Sequence, residues 1–96
     1  MIEPFENIHP ICEDCAPRPN PDLHRFEPEK YIGKHVKLAF TEIDSERVEH
    51  LWVKVSREDK PGWLIGALAN DPIYDVGGTC GDEVLFKIDE IEQMEM

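Results

Sequence analysis

The sequence predicts a mainly β domain. It reads as a small SH3-like barrel or a strongly bent antiparallel sheet of four or five strands, with an irregular N-terminal arm. Three observations carry this. Apolar residues alternate with polar ones in four short runs from residue 34 onward, the period of half-buried strands. Turn signals rich in Gly and Pro separate these runs at hairpin spacing. No segment holds a 3.6-residue period over ten positions, so an α+β fold with one short helix ranks second. Strands with one apolar face must curl or close to hide it.

Proline and glycine are segregated along the chain. Six of the eight prolines lie in the first 28 residues, and all six glycines lie from Gly33 onward. PRPNP at 17–21 fixes φ repeatedly and removes amide donors, so neither helix nor ladder runs through it. Residues 1–28 are therefore read as an irregular arm and 29–96 as the β domain. The arm still carries Phe5, Ile8, Ile11, Leu23 and Phe26, enough apolar surface to predict that it packs on the body. Glu29–Ile32 suits one helical turn after Pro28, ended by Gly33.

In the first strand Val36, Leu38 and Phe40 share a face. In the second, Leu51, Val53 and Val55 alternate with His50, Trp52 and Lys54. REDKPG at 57–62 is a turn signal. In the third run Trp63, Ile65 and Ala67 alternate with Leu64, Gly66 and Leu68, and the pattern leaves the inward set open. Gly66 in mid-strand implies a bend or a close backbone approach. A long loop, 69–81, precedes Val84, Phe86 and Ile88. IDEIEQMEM ends the chain as an edge strand or a turn. The predicted core is Val36, Leu38, Phe40, Leu51, Val53, Val55, Ile65, Val84, Phe86 and Ile88.

WVKV at 52–55, GALANDP at 66–72 and GDEVLFKIDEI at 81–91 occur in order at compatible spacing. Together they resemble a bacterial family, the domain of unknown function 2314, which includes the YegJ-like proteins. The resembling positions are Trp52, Val53, Gly66, Leu68, Asn70, Pro72, Gly81, Asp82, Val84, Phe86 and Ile91, within residues 34–92. Cys80 departs from the pattern, which has an aliphatic residue there. The resemblance implies an architecture and no activity, and no catalytic residue is carried over from it.

Charge narrows the function classes. The chain has 21 acidic and 10 basic residues, a formal net charge of −11. From Pro61 to Met96 there are eight acids and one base, Lys87. Such a surface repels phosphate backbones and anionic lipid, so neither nucleic acid nor membrane is an expected partner. Cationic protein surfaces are favoured instead. No apolar run approaches the ~18 residues of a membrane span. The first residues carry acids where a secretory signal needs Lys or Arg, which predicts a cytoplasmic protein.

The candidate chemistry is sparse. His9, Cys12, Cys15 and His24 lie within sixteen residues. Cys-x-x-Cys lets two thiolates reach one zinc at about 2.3 Å each. Zinc is thus the one cofactor the spacing admits, although the ordinary reading is a loop with two thiols. Three cysteines exclude a fully paired disulfide framework within one chain. GGTCG at 77–81 lacks the Lys and helix of a phosphate loop. Trp52 beside Lys54, and the polar residues Asn70, Asp71, Asp75, Asp82 and Glu83, form the candidate partner surface. Their ordinary reading is turn chemistry and, for Trp52, a place under the arm. The expectation is a non-enzymatic, acidic protein-binding module, one version being an immunity-type inhibitor of a basic partner. A zinc-stabilised regulatory domain and a small-ligand binder or enzyme are the alternatives.

Overall fold

The computed structural model describes residues 4–6, 24, 26–42 and 47–95. Six strands form one sheet: β1 (Phe5–Glu6), β2 (His35–Thr41), β3 (Val48–Lys60), β4 (Trp63–Leu68), β5 (Glu83–Lys87) and β6 (Gln93–Glu95). Their order is β1-β5-β4-β3-β2-β6. Strands β2 to β5 are a meander of antiparallel neighbours. β6 returns to pair antiparallel with β2 at one edge, and β1 adds parallel to β5 at the other. The sheet is strongly bent and does not close into a barrel. Among the described residues, regular helix is confined to two 3-10 turns, at Pro28–Lys30 and Ile88–Glu90. None of them forms a helix long and apolar enough to cross a membrane.

Chain length explains the bending. On a flat sheet, β6 would lie four strand spacings from β5, about 19 Å. Three of the five connecting residues are wound in a 3-10 turn. At about 2 Å per wound residue and 3.4 Å per extended one, the connection reaches about 16 Å. The sheet must curl for Gln93 to meet Lys37.

Register fixes the two faces. Val36 stands opposite Val53, Leu38 opposite Leu51, and Leu68 opposite Val53. Gly66 stands opposite both Val55 and Val84, and Leu64 opposite Phe86. This inner face is the core. Tyr31, Val76 and Ile91 close over it from outside the ladder, while Ile88 and Met94 are partly buried against it. The inward members of β4 are therefore Leu64 and Leu68. Ile65 is buried too, at 5% exposure, but it belongs to the outer face, opposite Arg57 and Leu85. Ile88 is half-buried because the ladder ends at Lys87 and the chain turns there.

Gly66 answers its mid-strand position. A Cβ there would lie 2.5 Å from both the Lys54 carbonyl oxygen and Val53 Cγ1. The absent side chain lets β4 coil tightly against β3.

Two local expectations are corrected. The stretch 57–60 is strand, not turn. Arg57, Glu58 and Lys60 pair with Ile65, Leu64 and Trp63. The turn itself is Pro61–Gly62, with Gly62 at φ 86°. Proline presets the first turn position and glycine supplies the positive φ of the second. Register shifts after Val55 and after Glu58 let the polar continuation pair. Phe26 is not a buried anchor. It is 38% exposed and meets Tyr31 edge-on at 6.1 Å between ring centres. Of the other anchors, Ile8, Ile11 and Leu23 lie outside the described residues, as does the Phe5 side chain. The helical turn spans Pro28–Lys30, and Gly33 at φ 85° follows it.

Candidate functional site

The connection from β4 to β5 carries most of the predicted partner-surface residues and is the candidate site. It leaves β4 still tied to the sheet: Ala69 N–H donates to the Trp52 carbonyl at 2.8 Å, and Trp52 N–H donates to Asn70 Oδ1 at 2.7 Å. Asn70 thus replaces a backbone acceptor where the ladder ends. Pro72 has no donor to place. Glu49 then reaches up from β3. Its Oε1 and Oε2 accept the Ile73 N–H at 2.9 and 3.0 Å, and Oε1 also accepts the Tyr74 N–H at 3.1 Å. Bonds from amides to a carboxylate are among the stronger ones.

The chain is pinned again beyond Tyr74. Asp75 Oδ1 accepts the Gly77 N–H at 3.2 Å, and Val76 drops into the core at 2% exposure. Asp82 Oδ2 takes the Thr79 N–H and hydroxyl at 2.8 and 3.2 Å. The Tyr74 ring lies 4.5 Å from the Arg47 guanidinium carbon. Arg47 is itself held by Glu42, with Nη2 donating to Oε1 at 2.6 Å, and this bond raises the Arg47 pKa. Ile73, between these anchors, covers nothing. It is 84% exposed, with exposed Asp71 and Asp75 on either side.

The predicted polar residues thus divide. Asn70 holds the Trp52 strand amide, Asp75 and Asp82 hold turn amides, and Glu83 pairs with Arg57 at 2.7 Å. The Glu83 bond raises the Arg57 pKa. Asp71 is exposed beside Ile73. Trp52 is half-buried on the outer face, its ring centre 5.9 Å from Lys37 Nζ. It neighbours the site through its backbone bonds to Ala69 and Asn70, while its indole belongs to the outer face of the sheet. Sequence reasoning missed Ile73, whose only signal is an apolar residue in a polar loop. It also missed Glu49, because a strand carboxylate 24 residues away gives no local sign.

Of the zinc candidates, His9, Cys12 and Cys15 lie outside the described residues. His24 is described, and its Nε2 donates to the Ile91 carbonyl at 2.9 Å. Among the described residues, no three His, Cys, Asp or Glu side chains gather to hold a metal. Cys80 is an exposed free thiol. His50 Nδ1 meets Glu92 Oε1 at 2.7 Å.

Against known proteins, one family model matches, over residues 27–96. Its description is an uncharacterized protein conserved in bacteria (DUF2314). No curated protein sequence matches the chain. No solved structure matches it either.

Proposed function

The chain belongs to this bacterial DUF2314 family, and from that premise we propose that it is a non-enzymatic protein-binding module that engages its partner through the 70–75 loop. One observation carries the reading. Ile73 is 84% exposed on a segment whose amides are held by Glu49. A loop ordered in advance loses less entropy on binding, and a rigid apolar tip is the form an interface anchor takes. Asp71 and Asp75 beside it select a partner with an apolar notch rimmed by Lys or Arg. The net charge of −11 steers such a partner in. An immunity-type inhibitor of a basic toxin is one role that fits this chemistry.

The test is capture from the native cell with immobilised wild-type protein, Ile73→Asp and Trp52→Ala. A charge at the tip should abolish recovery of the wild-type partner while the melting temperature stays unchanged. Retention of that partner by Ile73→Asp, with loss on Trp52→Ala, would move the interface to the outer face of the sheet.

A further inference from the structure

A second surface has the opposite character and stands apart from the loop. Trp63 opens β4 directly after the Pro61–Gly62 turn. Its cross-strand neighbours are Lys60 on β3 and Lys87 on β5. Lys60 Nζ lies 4.9 Å from the indole ring centre and Lys87 Nζ lies 5.1 Å from it. The negative face of an indole attracts ammonium groups. One ring therefore holds two like charges that would otherwise separate.

These lysines sit in a chain of 21 acids and 10 bases. Among the described residues, the ion pairs are Arg47–Glu42, His50–Glu92 and Arg57–Glu83, and neither lysine takes part in one. Lys87 is also the one base after residue 61. Its charge is left to the solvent side while nearby carboxylates are committed elsewhere. Glu83 is taken by Arg57, and Glu90 accepts the Lys87 backbone N–H.

Trp63 and Lys87 also line an open depression of about 340 Å³. Among the described residues, Gly62, Ile88, Asp89 and His24 line it with them. Gly62 leaves room beside the ring, and Ile88 adds an apolar wall. The His24 imidazole is fixed by its bond to the Ile91 carbonyl. Lys87 is the ammonium that lines the depression, with Lys60 across the same ring, while Asp89 lines it too and the Glu90 carboxylate is turned to the Lys87 backbone N–H.

We propose that this depression is a binding site for a small organic anion. The anion's carboxylate or phosphate oxygens meet Lys87 within the field of Lys60, and its apolar body lies against Trp63 and Ile88. The volume is at the lower end of the range for small-ligand sites, which suits a single-ring compound.

Fluorescence titration of the Trp52→Phe variant, whose sole tryptophan is Trp63, tests this with three probes. Phenyl phosphate, benzoate and benzylamine share a ring and differ in charge. Saturable quenching is expected from phenyl phosphate and, more weakly, from benzoate. Benzylamine should give none. Lys87→Gln should weaken phenyl phosphate binding about tenfold and Lys60→Gln several-fold, with unchanged melting temperatures. A linear, non-saturating response to both anions would overturn the proposal. So would equal binding of benzylamine, or an affinity that survives Lys87→Gln.

Discussion

Both carboxylate oxygens of Glu49 bond the backbone of Ile73, at 2.9 and 3.0 Å, across 24 residues of sequence. This contact joins the loop tip to the second strand of the meander. It turns a long polar connection into a fixed feature and makes the exposure of Ile73 a property of the fold.

Glu49→Gln keeps one acceptor oxygen and sets an amide donor against the Ile73 N–H, which both carboxylate oxygens now accept. It should cost about 1–2 kcal/mol, between the range for a neutral bond and that for bonds to charged groups. Glu49→Ala should cost more. Hydrogen exchange at the Ile73 and Tyr74 amides reads the effect directly, and both should lose protection while the β3–β4 ladder keeps its own. Unchanged protection at these two amides would remove Glu49 from its proposed role.

Gly66→Ala places a methyl group 2.5 Å from the Lys54 carbonyl oxygen and from Val53 Cγ1. The carbonyl belongs to a paired strand and cannot swing aside. Overpacking of this kind costs about 1–3 kcal/mol. Urea unfolding should show a lower midpoint with an unchanged slope. A variant as stable as the parent would mean that β4 does not lie this close to β3.

Tyr31 is fully buried, and its hydroxyl accepts the Phe26 N–H at 3.3 Å. Burial raises its pKa above the usual value of about 10, and the Phe26 bond, which favours the phenolate, offsets only part of this. The unfolded chain therefore releases this proton first as pH rises. Stability from this group is complete below about pH 10 and is lost as pH climbs through the raised folded value. Unfolding measured from pH 8 upward should show a steeper alkaline decline in the wild type than in Tyr31→Phe. Parallel curves would assign the decline to other groups.

Once a partner is identified, two variants separate steering from anchoring. Asp71→Asn should lower kon and flatten its salt dependence, because exposed charges are screened over about 8 Å at physiological ionic strength. Ile73→Ala should leave kon nearly intact and raise koff about tenfold, equivalent to about 1.4 kcal/mol. Asp71, Asp75, Asp82 and Glu83 are the acids of the predicted partner surface, and neutralising all four together is the obvious bulk test. The structure argues against that set, since Asp75 and Asp82 hold turn amides and Glu83 holds Arg57. A quadruple variant would confound binding with loop stability.

Alternation was enough to place Val36, Leu38, Phe40, Leu51, Val53, Val55, Val84 and Phe86 in the core, because a strand's side-chain period is fixed by its own backbone. Gly66, Gly33 and the Pro61–Gly62 turn were legible for the same reason: each reports a local φ or a missing Cβ. The order of the described strands, the choice between an open bent sheet and a closed barrel, and the inward choice of Leu64 and Leu68 over Ile65 were not. The run WLIGAL is apolar on both sides, and pairing with Phe86 and Val53 had to choose between them. The site divides along the same line. Composition marked the 70–75 loop as polar turn chemistry, and Asp75 does that work, whereas Asn70 ties the loop to the Trp52 amide of β3. The fixing of Ile73 by Glu49 and the gathering of Lys60 and Lys87 on Trp63 depend on hydrogen bonds and ring contacts between strands. Those contacts exist only after the sheet has brought distant residues within a few ångströms, which no local sequence pattern encodes.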